Sequence, residues 1–183
     1  EAGLIAGYGG QDVLLTDRFF LGQPQMRGFN IRGVGPRVLR QPFDANGVAI
    51  TNRNQVSDDA LGGKAYYLAR AEIQVPLGSS GEELGLRPSI FADVGAVWNV
   101  RQPVLQCLNG PTTNRPECAP FNGASSGFQE VYLGNTPSPR LSVGAGVSWN
   151  SPFGPFRFDL AKALLKQPGD DTQLFQFNVG TQF

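Results

Sequence analysis

Leu141 to Asn150 reads LSVGAGVSWN. Leu141, Val143, Ala145, Val147 and Trp149 fall on one side of an extended chain. Ser142, Gly144, Gly146, Ser148 and Asn150 fall on the other. A period of two is the mark of a strand with two unlike faces, because successive side chains point to opposite sides of the pleat. The same period appears on both flanks. In Ile90 to Asn99, Ile90, Ala92, Val94, Ala96 and Trp98 share a face, against Phe91, Asp93, Gly95, Val97 and Asn99. In Tyr67 to Val75, Tyr67, Ala69, Ala71, Ile73 and Val75 oppose Leu68, Arg70, Glu72 and Gln74. Phe156, Phe158 and Leu160 alternate with Arg157, Asp159 and Ala161. Phe175, Phe177, Val179 and Phe183 alternate with Gln176, Asn178, Gly180 and Gln182. Gly3 to Tyr8 is a weaker sixth strand.

The connections between these strands alternate in length. Residues 9–63 and 100–139 are long, 78–85 and 151–154 are short, and 166–172 is intermediate. Transmembrane barrels have short turns on the periplasmic side and longer loops outside. If the long connections face outward, the last strand runs inward. Alternating strands also build soluble sandwiches, with the apolar face turned into a core. The polar faces here carry glycine and small residues beside isolated charges, which suits a wet lumen. The apolar faces end in aromatics such as Trp98 and Trp149, which suits an interfacial girdle. The expected fold is therefore all-β: an antiparallel transmembrane β-barrel, or a portion of one.

The composition limits the function classes. The 183 residues hold 15 Lys+Arg and 15 Asp+Glu, with no His. The cations are dispersed, so no nucleic-acid stripe is expected. No run of about 18 apolar residues could form a spanning helix. The opening EAGLIAGYGG has no basic and apolar leader, so a secreted barrel would have lost its signal, or the chain is an excised part. Acid–base chemistry without histidine would fall to carboxylates. The pairs Asp58-Asp59, Glu82-Glu83 and Asp170-Asp171 sit in connections and read as solvated turns. No phosphate loop or nucleophile elbow occurs. The expectation is no enzyme, no metal and no cofactor. Cys107 and Cys118 lie in a Pro- and Asn-rich stretch and are expected to form a local disulfide, worth about 2–3 kcal/mol.

Several motifs, in order along the chain, carry a resemblance. Gln25-Met26-Arg27-Gly28-Phe29 follows Arg18-Phe19-Phe20-Leu21-Gly22 and precedes Gly33-Val34-Gly35-Pro36. Gly62-Gly63-Lys64-Ala65 opens the next strand. Phe91 to Trp98 reads FADVGAVW, and Ser151-Pro152-Phe153-Gly154-Pro155 leads toward Phe175 to Gly180. This set resembles the BamA family of outer-membrane protein assembly factors, whose lid loop carries VRGF; here Met stands in place of Val.

The resemblance implies a barrel of about 16 strands preceded by periplasmic domains, of which this chain supplies about six as the C-terminal portion. It implies that the loop 9–63, far longer than the 12–15 residues beyond which a connection is usually functional, folds into the lumen. Arg27, Gly28 and Phe29 would form its lid motif, with Glu72 and Asp93 as wall partners. The last strand, with Phe175, Phe177, Val179, Gly180 and Phe183, would form one side of a lateral seam, and Gly180 would permit a kink. The implied partners are unfolded outer-membrane proteins, outer-membrane lipid and accessory lipoproteins, without nucleic acid. The implied location is the bacterial outer membrane. Related translocation or two-partner secretion barrels, and a passive porin, are the alternative functions. A partial sheet leaves two open edges, so the chain alone is expected to self-associate.

Overall fold

The computed structural model describes residues 1–44, 46–78, 85–108, 127–152 and 154–179. Ten strands are described: β1 (Ala2–Leu4), β2 (Arg37–Pro42), β3 (Ser57–Ala60), β4 (Ala65–Gln74), β5 (Leu86–Trp98), β6 (Cys107–Leu108), β7 (Phe128–Leu133), β8 (Arg140–Ser151), β9 (Gly154–Leu165) and β10 (Phe175–Val179). Six of them form an antiparallel sheet in the order β1-β4-β5-β8-β9-β10. Each strand of that sheet pairs with the next one in the meander, so the wall grows in chain order. The register places Arg70 opposite Asp93, Asp93 opposite Ser142 and Gly146 opposite Asp159.

The burial of this sheet is inverted relative to a soluble sandwich. Ile73 is 66% exposed and Leu160 57%, while Asp93 and Gln176 are 0% exposed. The apolar face looks out and the polar face is covered. This costs stability in water and none in hydrocarbon, where the backbone must be fully paired and the outer side chains apolar. Trp98 and Trp149 each lie near the C-terminal end of their strand, and because β5 and β8 are antiparallel they stand at opposite rims of the sheet; Trp98 packs edge-on against Tyr67 at 5.7 Å. Such aromatic positions suit the two interfaces of a bilayer.

The first strand is shorter than Gly3 to Tyr8. Pairing with β4 stops at Leu4, one further bond runs from Ile5 N–H to the Lys64 carbonyl, and Tyr8 is exposed. Gly9 and Gly10 at positive φ turn the chain away.

The two long connections are not plain loops. The first supplies β2 and β3, the second supplies β6 and β7, and together they form a second sheet in the order β3-β2-β7-β6. β2 pairs with β7 from Arg37 opposite Leu133 to Pro42 opposite Phe128. Arg40 braces this ladder through Glu130 at 2.7 Å. Burial raises the Glu130 carboxyl, but the hydrogen bonds from Arg40 and the Gln106 N–H outweigh it and hold the group below its ordinary value. Its folded pKa is depressed, so this pair stabilises above the ordinary carboxylate range and fades as pH falls through the folded value. Cys107, on β6, is disulfide-bonded; Cys118 lies outside the described residues.

Residues 19–34 of the first connection lie against the inner face of the wall. Leu21, Met26, Phe29 and Val34 pack on Leu68 of β4 and Val97 of β5, with Phe19, Tyr66 and Ala163 around them. This is the apolar core of the chain, formed between a loop and a barrel wall rather than between two sheets.

Candidate functional site

Arg27 is the centre of the inner face. Its Nε and Nη2 donate to the two carboxylate oxygens of Asp93 at 2.8 and 2.7 Å, a bidentate fork. Its Nη1 donates to Glu72 Oε2 at 2.6 Å, and its own backbone N–H donates to Asp93 Oδ2 at 3.0 Å. The guanidinium carbon lies 3.5 Å from the centre of the Phe91 ring. Arginine suits this position because its planar, permanently charged fork can meet two carboxylates while its face stacks on an aromatic ring. Strand alternation brings Phe91 and Asp93 to the same face of β5, and Glu72 to the facing side of β4.

Gly28 lets the loop approach the wall. Its φ is +84°, and a Cβ there would sit 2.9 Å from Ser142 Cβ and 3.3 Å from Ala161 Cβ. Ser142 Oγ donates to the Arg27 carbonyl, which uses the room that Gly28 leaves. Phe29 is fully buried in the apolar cluster. Arg27, Gly28 and Phe29 are thus brought together with Glu72 and Asp93.

The network runs further than the motif. Glu72 Oε1 accepts from Arg157 Nη2 at 2.9 Å, and Arg157 Nε donates to both oxygens of Asp159. A chain of charges therefore runs Asp93, Arg27, Glu72, Arg157, Asp159. Glu72 and Arg157 are three strands apart in the sheet order, and the curved inner face brings them together. Gly146 leaves room for Asp159, whose carboxylate would collide with any side chain there. The sequence places Arg157 and Asp159 on a polar face but gives no cue that they reach Glu72.

The last strand is tied to the same loop. Gln176, buried on the inner side of β10, donates to the Phe29 carbonyl at 3.1 Å. Gln23 donates to Asn178, the Gln173 N–H donates to the Gly28 carbonyl, and Phe29 bridges to Thr172. Phe175, Phe177 and Val179 point outward, and Phe177 stacks on Phe158 at 4.9 Å. Gly180 and Phe183 lie outside the described residues.

One expectation is corrected. The acidic pairs are not simply solvated turns. Asp170 is fully buried and accepts from Arg140 Nε at 3.0 Å, with both side chains 0% exposed. Asp58 takes ion pairs from Arg37 and Arg53, and Asp171 accepts from Asn30. The physical reason is that the fold brings arginines from other elements onto these carboxylates: Arg37 of β2 onto Asp58 of β3, and Arg140 of β8 onto Asp170. Glu82 and Glu83 lie outside the described residues.

The Omp85 superfamily domain matches residues 1–183. The chain belongs to the Omp85 superfamily. It is 35% identical over 183 residues to the outer membrane protein assembly factor BamA of Neorickettsia risticii, covering all of this chain and 19% of that protein. It is 30% identical over 185 residues to BamA of Neisseria meningitidis serogroup B, covering 21% of it. The chain thus spans about a fifth of these curated relatives. Among solved structures, BamA from Haemophilus ducreyi lacking POTRA domains 1-3 superposes with a TM-score of 0.58 at 27% identity, over 94% of this chain and 28% of that one. The sheet is therefore a portion of an Omp85 transmembrane barrel of the bacterial outer membrane, and the face covered by the loop is its lumen.

Proposed function

We propose that the whole protein folds and inserts other β-barrels into the outer membrane, and that the loop 9–63 is its extracellular lid. The observation that carries this is the Arg27 fork on Asp93 and Glu72 beneath a loop that is also bonded to β10. A passive pore has no need of a lid fastened to its last strand. Two relatives that match the whole chain are named assembly factors, which supports the same reading. The work is done without covalent chemistry. Among the described residues β10 has a hydrogen-bonded neighbour on one side only, and its free edge would template an incoming strand by β-augmentation. Arg27 would brace the wall beside that seam. Unfolded outer-membrane proteins, lipid and accessory lipoproteins would be the partners.

The test places the full-length protein in liposomes, adds an unrelated outer-membrane barrel from urea with a chaperone, and follows its folding rate. Wild type should accelerate folding, and Arg27→Ala should remove most of that acceleration. No acceleration, with accessory lipoproteins supplied, would favour a secretion or passive barrel instead.

A second expectation concerns this chain alone. Among the described residues, its six-stranded sheet has unpaired edges at β1 and β10. Open edges recruit further strands. Mass measurement in detergent should therefore give dimers or larger closed forms; a stable monomer would contradict this.

A further inference from the structure

Below the lid, on the lumen side, lies a cavity of about 430 Å³ that extends along the wall from Arg70 to Arg87. Its acidic groups are already engaged. Glu72 gives one oxygen to Arg27 and the other to Arg157, and both oxygens of Asp159 face Arg157 Nε. Its donors are not. Arg87 has no hydrogen bond or ion pair among the described residues. Among the described residues Arg70 meets only the exposed Glu1 carboxylate, at 3.6 Å. Arg157 Nη1 reaches Ser148 at 3.5 Å, a long contact that leaves the donor largely unused. Asn178 accepts from Gln23 through Oδ1, which leaves its Nδ2 free to donate. Gln74 and Asn150 line the same space.

We infer that this cavity binds an acidic side chain carried on a polypeptide segment in the lumen. Guanidinium donors left over once the carboxylates are engaged select an oxyanion. The amides of Gln74, Asn150 and Asn178 can meet the peptide groups on either side of it. Bilayer phosphate is the other abundant oxyanion nearby, but the hydrocarbon-facing side of this wall is the opposite one. The site borders the lid lock, since Arg27, Glu72 and Arg157 also line it, but Arg70 and Arg87 make none of the bonds that hold Arg27. It stands whether or not the protein is an insertase.

The experiment uses the full-length protein in detergent and a fluorescent Gly/Ser-spaced glutamate peptide, read by anisotropy. Its glutamine counterpart and inorganic phosphate are the comparison probes. The glutamate peptide should bind with a salt-dependent affinity about tenfold tighter than the glutamine peptide, the effect of roughly one charge-assisted contact pair. Arg70→Gln with Arg87→Gln should abolish that difference. Gln74→Glu should weaken the glutamate peptide alone. Heat-modifiable mobility should stay unchanged in all three variants, since these side chains are exposed. Equal binding of the two peptides, no binding of either, or no effect of the arginine substitutions would overturn the inference. Phosphate competing as well as the peptide at equal concentration would overturn the polypeptide assignment and leave a plain anion site.

Discussion

Asp93→Arg in the full-length protein is expected to lower barrel stability and assembly activity further than Arg27→Ala. Asp93 is fully buried and accepts three bonds from Arg27: two from the guanidinium and one from the backbone N–H. Removing one partner of a buried ion pair typically costs about 3–5 kcal/mol, because the other charge is left uncompensated. Arg27→Ala leaves Asp93 with the backbone N–H of residue 27 and Glu72 with Arg157, so part of the network survives. Asp93→Arg instead sets two guanidiniums against each other and removes the acceptor of that N–H. It also puts a longer side chain beside Phe91, where Arg27 already stacks. The measurement is the urea midpoint of the heat-modifiable form, alongside the liposome folding rate. The pair should couple strongly in a double-mutant cycle. The charge swap Arg27→Asp with Asp93→Arg should recover only part of the loss, since the backbone N–H keeps no carboxylate. Equal effects of the two single variants, without coupling, would remove the brace from the account.

The wall was legible because period two survives in short stretches. The quoted faces of β4, β5, β8 and β9 are the faces the structure separates, and Glu72 and Asp93 fall on the inner one as alternation requires. The Arg27 motif was legible through resemblance, not through spacing; an arginine in a loop carries no physical mark of its target. What escaped lies between elements distant in sequence. β2 and β7 read RVLRQP and FQEVYL, too charged and too short to stand out, and they are strands because they pair with each other. Arg157 reaches Glu72 only because the sheet curves. Asp170 looked like a solvated turn because its partner, Arg140, lies 30 residues away. Local pattern reports faces; it does not report which faces meet.

The buried pair Arg140–Asp170 leads to the second large effect. Asp170 accepts from Arg140 Nε, from the Gln167 N–H at 2.7 Å and from the Gly35 N–H at 3.4 Å. Arg140 also donates to the carbonyls of Gly134, Thr136 and Ser138. One ion pair thus gathers the second long connection, the lid and the turn before β10. Asp170→Ala should cost about 3–5 kcal/mol, since Arg140 stays buried with only neutral carbonyls for company. Limited proteolysis should then cut within 134–138 or 166–171. The two clamps share no side chain, so independent clamps would add within about 0.5 kcal/mol. They do share the lid: Arg27 holds it to the wall and Gly35 holds it to Asp170. A lid packed as one body, with Met26, Phe29 and Val34 in a single cluster, has to let go of both together. Once the first clamp is broken and the lid populates an open state, the second has less left to hold. The double variant Arg27→Ala with Asp170→Ala should therefore be less destabilised than the sum of the two. Strict additivity in the urea midpoints would mean that the lid yields in two pieces, and that opening at the rim leaves the inner lock closed.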